Sequence, residues 1–337
     1  QMDADDDITI NAAVAATTSI DLNAGLDGTG GVSISGTGSV TTSGATSTIN
    51  VDTGAMSGDV VVGGAVQAGT LTTTGGTVAI NSVAGGISGS STVTATNIDF
   101  DSANGVDATS TPAIGTSTDA ASTRFQIATA NVDIDVTGSA IVDVDNSNAT
   151  AVTTTINSIT TVGGDIRFRH NDGAVAMTSA LVVDGPVTSS VVSTTDGGSI
   201  EIRGEADLLT VTTNGNVSSE DGMGGVITIF GVALDAGATV TGGAGNVDLI
   251  GGGDTVIATP ITADGDIIVL APNDVLIQAA VTANMGGDIT LRGDTDITGT
   301  MDGNQNGGVR IEAAGSLTAA ADITLTGADV LNDGAGD

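Results

Sequence analysis

A short alternation of apolar and polar positions recurs along most of this chain, each time introduced by glycine. Its clearest form is Gly286-Gly287-Asp288-Ile289-Thr290-Leu291, with counterparts at Gly163-Gly164-Asp165-Ile166-Arg167-Phe168, Gly197-Gly198-Ser199-Ile200-Glu201-Ile202 and Gly224-Gly225-Val226-Ile227-Thr228-Ile229. The phrase continues at Gly245-Asn246-Val247-Asp248-Leu249, Gly265-Asp266-Ile267-Ile268-Val269 and Gly307-Gly308-Val309-Arg310-Ile311. A period of two places the β-branched residues on one face of a strand, and the glycines supply a turn before it. Taking Val247, Ile267, Ile289 and Val309 as anchors gives steps of 20, 22 and 20 residues, the period range of solenoids.

Between anchors the phrase divides further. Residues 246–250, 255–257 and 261–263 form one set of three short strands, and residues 266–270, 274–277 and 281–283 form another. Three strands per turn of about 20 residues, joined by Gly, Asn and Asp corners, predict an all-β, parallel β-helix. Right-handed crossovers are the default for such a coil. No stretch has helical periodicity with caps.

The amino-terminal third fits less well. Ile8, Ile20 and Val32 lie only 12 residues apart, which predicts either a small-coil start or a segment outside the regular stack. Residues 1–30 are therefore expected to form a strand segment available for exchange with a neighbour, and residues 31–337 a single β-helical rod. Further coils are placed at Val60, Val78 and Ile98, with longer steps from Val132 to Ile166 and Ile200. The phrase vanishes over residues 101–126, read as a protruding loop because loops of that length usually carry function.

Composition narrows the class. The 51 glycines and 1% aromatic residues leave too little bulk for two compact cores, whereas a solenoid needs only thin apolar stripes stacked turn on turn. Acidic residues outnumber basic ones 40 to 6, for a net charge of -34, so nucleic acid is excluded as a natural partner. Anionic membrane surfaces are disfavoured for the same reason. No apolar run is long enough for a membrane span. Aspartate suits both turns and divalent cations, so these two readings compete for the same residues. The absence of cysteine removes disulfide and thiol chemistry.

The Gly-Gly-Asp-Ile-Thr-Leu phrase, followed by Asp296-Ile297-Thr298-Gly299, resembles the repeats of filamentous-haemagglutinin-like bacterial exoproteins and related β-strand-repeat adhesins. The resemblance spans about residues 132–325. It implies a secreted or surface-attached, non-enzymatic β-helix, extracellular in location, whose partners are copies of itself or cell-surface and matrix ligands.

Candidate chemistry is sparse. Gly242-Gly243-Ala244-Gly245-Asn246-Val247-Asp248 resembles a calcium nonapeptide with its acid one position late, which makes Asp248 the candidate calcium ligand against an ordinary turn. The clusters Asp3, Asp5, Asp6, Asp7 and Asp133, Asp135, Asp143, Asp145 are candidate cation sites, or a solvated acidic face. His170 is the sole histidine, which excludes His-based triads and multi-histidine metal sites. Facing carboxylates could serve glycoside hydrolysis, yet the chain lacks the Trp and Tyr platforms of sugar clefts. No enzyme is expected.

Stacking the phrases gives an outward row of Arg169, Arg203, Phe230, Ile250, Leu270, Arg292 and Glu312, widened by Ile268. Contiguous apolar residues there mark an interface, unless the strand bends and turns them inward. Ile8 and Ile10, on a strand-like segment able to extend a neighbour's edge, complete the expected interface. The expectation for function is a structural subunit of an extracellular filament. The alternatives are a stalk segment of a secreted adhesin and, less favoured, a polysaccharide-active β-helix enzyme.

Overall fold

The computed structural model describes residues 1–54, 56, 58–68, 76–107, 124–147, 153–170, 180–190, 198–204, 210–213, 215–219, 227–231, 233–236, 240–242, 245–251, 253–294 and 307–332. Among them every regular element is a β-strand, and every described pairing is parallel. Two compact units divide the chain, Gln1–Gly173 and Ala174–Asp337. Each is a parallel β-helix with three strands per coil.

In the second unit one sheet takes a single strand from each coil: Ile200–Gly204, Ile227–Gly231, Val247–Gly251, Ile267–Leu270, Ile289–Arg292 and Ile323–Thr326. The other takes two, such as Thr255–Ile257 with Ile261–Ala263, then Val275–Ile277 with Ala280–Ala283. These are the two three-strand sets legible in the sequence. Inward residues stack like on like: Val247, Ile267 and Ile289 share a column, Leu249, Val269 and Leu291 the next, all fully buried. Burying each such side chain contributes roughly 1.5–3 kcal/mol, which a coil without aromatic bulk collects position by position.

The two glycines of the recurring phrase serve different ends. Gly286 turns the chain at φ +98°, a conformation side chains rarely adopt. Gly287 has ordinary φ, but a Cβ there would lie 2.1 Å from the Gly265 carbonyl oxygen of the preceding coil. One glycine shapes the corner and the other lets coils approach.

The first unit inverts the layout, with two strands per coil in one sheet and one longer strand in the other. Ile8–Ile10 stacks on Val32–Ile34 and then Val60–Val62. Ser19–Asn23 stacks on Thr48–Asp52, Thr77–Ser82, Asn97–Ser102 and Asn131–Val136. Phe100 and Phe125 meet edge to face inside, with centroids 5.8 Å apart.

This layout corrects several anchor assignments. Ile8, Ile20 and Val32 are not successive equivalents: Ile8 stacks on Val32, while Ile20 lies on the opposite sheet and stacks on Ile49. The amino-terminal strands thus run in register with their own unit. Val132 stacks on Ile156, not Ile166, whose partner is Val142. Val309 stacks on Val275, and the coil partner of Ile289 is Ile323. The physical reason is common to all: both sheets need a turn followed by apolar-x-apolar, so the phrase does not say which sheet it enters. Of the expected loop at 101–126, residues 108–123 lie outside those described, whereas Asn97–Ser102 and Val106–Asp107 are strands of the stack.

Candidate interaction surfaces

Most aspartates at the coil corners hold the stack together. In the second unit the Asn246 Oδ1 accepts the Asp266 N–H at 2.9 Å, Asp266 Oδ1 accepts that of Asp288 at 2.9 Å, and Asp288 Oδ1 that of Asp322 at 2.9 Å. A neighbouring corner repeats the device, with Asp274 Oδ1 accepting from Gly308 N–H at 2.9 Å. In the first unit Asp7 receives Gly31 N–H and Asp59 receives Gly86 N–H, both at 2.8 Å. A single methylene sets a carboxylate at the height of the next coil's amide; the extra methylene of glutamate displaces it. That is a physical reason for 36 Asp against four Glu in the chain, and at these corners the turn reading holds.

Aspartates on the flat faces of the first unit divide into two patches. On the two-strand sheet, Val142–Asn146 is buried on both sides. Its outward Asp143 lies 3.3 Å from Arg124 and 3.7 Å from Arg167, which also approaches Asp165 at 3.6 Å. Asp145 accepts from Gln126 Nε2 at 3.4 Å and stands opposite Arg169 in the register. Arg124 and Asp145 are each 3% exposed. This half of the expected acidic cluster is neither a cation site nor solvated; it is a neutralised core beneath the surface.

On the opposite sheet Asp99 stacks on Asp133, and Asp101 on Asp135. Earlier coils alternate acid with amide there: Asn50 Nδ2 donates to Asp21 at 2.6 Å, and Asn23 Nδ2 to Asp3 at 2.7 Å. The later coils place carboxylate over carboxylate, relieved only by the Thr160 hydroxyl donating to Asp135. Partial burial and then the charge of neighbouring aspartates raise the pKa of Asp99, Asp101 and Asp133.

His170 stacks on Asn146 within the interior and is fully buried. Burial lowers its pKa to about 4, against a smaller opposing pull from the Asn146 backbone. A neutral, enclosed imidazole has no access to a substrate.

The outward row of the second unit is a true surface row. Burial alternates without a break through Val247–Gly251 and Ile267–Leu270, so Ile250, Ile268 and Leu270 leave the interior and lie half-buried on the face. Phe230 occupies the adjoining register position, with Arg203 before it and Arg292 and Thr326 after Leu270. Glu312 does not belong to this row: it follows Ile311, which stacks on Ile277 in the other sheet.

Asp248 lies on that face beside Ile268. Burial, and then the charge of Asp266, raise its pKa. Residues 243 and 244 of the nonapeptide-like stretch lie outside those described, and among the described residues no three His, Cys, Asp or Glu side chains gather to hold an ion. Ile8 and Ile10 point inward, 8% and 5% exposed.

The coil at residues 316–332 differs from those before it. Its inward-type residues are open: Ile323 is 45% and Val330 48% exposed, and Leu317 and Leu325 are half-buried. Ile323–Thr326 and Asp329–Asn332 each pair on one side only among the described residues. Sequence reasoning reached this coil but not its exposure, because an inward residue reads the same whether or not a further coil covers it.

Comparison with known proteins returns no matching family model, no matching curated protein and no matching solved structure.

Proposed function

We propose that this chain is a non-enzymatic structural subunit of an extracellular or cell-surface filament, built by association of its coils. The observation that carries the reading is the open coil at residues 316–332, where core-type side chains face solvent along unpaired strand edges. Exposed flat edges of this kind are templates for further strands, which solenoids otherwise cap or charge. Enclosure of the only histidine supports the absence of acid–base catalysis. The net charge of -34 opposes association at low salt and is screened at high salt.

Light scattering coupled to size exclusion, run from millimolar to molar salt, tests this. Species growing well beyond the monomer as salt rises are expected; a monodisperse monomer throughout contradicts the filament.

A second reading, a stalk segment of a secreted adhesin, is favoured by the Ile250, Ile268 and Leu270 row, since contiguous apolar surface marks a lateral contact. Substituting Leu270 by Asp separates the two: loss of matrix or cell binding with unchanged assembly supports the stalk.

A further inference from the structure

The open coil begins with Asp322-Ile323-Thr324-Leu325, and an early strand of the first unit is introduced by the similar phrase Asp7-Ile8-Thr9-Ile10. Inside the second unit the same phrase stacks on itself, Asp288-Ile289-Thr290-Leu291 against Asp322-Ile323-Thr324-Leu325, with Ile over Ile, Thr over Thr and Leu over Leu. The geometry points to a second copy of this chain as the occupant of the open coil, its residues 7–10 stacking on residues 322–325 in that register. The inference rests on the filament reading and specifies its junction.

Three complementarities carry it. The first is the corner ladder. Each corner carboxylate accepts the N–H of the following coil, up to Asp288 accepting from Asp322. The Asp322 carboxylate has no such amide above it among the described residues. Asp7 offers its N–H, since its own carboxylate is committed to Gly31.

The second is strand parity. In a parallel ladder, alternate residues direct both backbone groups to the same side. Ile289 N–H donates to the Asp322 carbonyl, so the Ile323 N–H points to the open edge. Ile8 N–H donates to the Gly31 carbonyl, so the outer edge of Ile8–Ile10 presents the Asp7 carbonyl and Thr9. The Ile323 N–H then meets the Asp7 carbonyl as Ile289 meets Asp322.

The third is apolar closure. Ile323 would sit over Ile8 and Leu325 over Ile10, extending two existing columns, while Val330 and the 39%-exposed Met2 are the remaining core-type residues left uncovered in the two coils. Asp5, Asp6 and Asp7 approach Asp322 in this junction, as Asp266, Asp288 and Asp322 approach one another inside the unit. Salt is therefore required to bring the copies together.

The chain has no cysteine, which permits a direct test. Neighbouring strands lie about 4.8 Å apart, inside the roughly 4.4–6.8 Å Cα span of a disulfide. Two single-cysteine chains, Thr9→Cys and Thr324→Cys, are mixed at high salt and oxidised mildly; both threonines are exposed and face outward. A chain carrying Thr290→Cys and Thr324→Cys, partners in register, serves as internal control. The junction predicts a mixed dimer, bridged between position 9 of one chain and position 324 of the other, in several-fold excess over either homodimer. It also predicts a ladder of covalent oligomers when one chain carries both Thr9→Cys and Thr324→Cys. Closure of the internal control with no excess of mixed dimer, in a sample that micrographs show to be filamentous, overturns this junction and leaves the filament reading standing. A monomer without assembly at any salt overturns both.

Discussion

Two patches of the first unit carry outward aspartates at equivalent places on opposite sheets, and their surroundings give them opposite energetics. Asp143 and Asp145 are enclosed by Arg124, Arg167, Arg169 and Gln126. Asp99, Asp101, Asp133 and Asp135 are enclosed largely by one another. Half of the six basic residues in the chain are spent on the first patch. A charge taken out of water is tolerable when its partner is fixed beside it, and removal of one partner is then severe. Like charges stacked directly across a ladder destabilise it. The acidity of this protein is thus not one property: it is structural at the corners, neutralised on one face and unrelieved on the other.

The largest expected effect comes from breaking the neutralised patch. Asp143→Asn leaves Arg124 enclosed without its nearest countercharge and lowers unfolding free energy by about 3 kcal/mol, read from the urea midpoint. An unchanged midpoint would show that the arginine reaches solvent.

Acid comes next and acts on the two faces with opposite sign. His170 has a folded-state pKa of about 4, below its unfolded value of 6.5. Its contribution is intact above pH 6.5 and is lost as pH falls toward 4, by up to about 3 kcal/mol if the shift is fully expressed. Asp99, Asp101 and Asp133 have raised values, so protonation favours the folded state and returns stability as pH falls through their folded pKa toward 3.8. In His170→Asn the loss between pH 6.5 and 4 should vanish, leaving only the gain at lower pH in urea titrations at stepped pH.

At the corners, Asp288→Ala leaves the Asp322 N–H without its acceptor at 2.9 Å and costs about 1–2 kcal/mol. Asp288→Asn keeps an acceptor oxygen and restores most of it. Equal losses in both would mean that charge, not the hydrogen bond, holds the corner. The smallest effect sharpens the contrast most: Asp133→Asn removes one like-charge contact and raises stability by about 0.5 kcal/mol at neutral pH and low salt, fading as salt rises. Destabilisation there would show that this row is as structural as the first.

The coil itself was legible because a period of two, punctuated by glycine, has one physical meaning. Residues 246–283 could be divided into strands correctly from the spacing alone. Sheet membership was not legible: Val309 and Ile289 carry near-identical phrases, and only pairing separates them. The apolar row at Ile250, Ile268 and Leu270 followed from the register of adjacent coils, whereas Glu312 was misplaced by the same ambiguity. The enclosure of Asp143 was hidden because Arg124 and Arg167 flank it from strands 19 and 24 residues away in sequence. Charge runs read along a chain do not show what lies across a sheet.

The most direct test of head-to-tail coil stacking is cryo-electron microscopy of the chain assembled at high salt. The account predicts strand density that crosses from residues 322–325 of one copy to residues 7–10 of the next without a break in the spacing of about 4.8 Å. Copies joined side by side through Ile250, Ile268 and Leu270, with the coil at residues 316–332 left open, would contradict it.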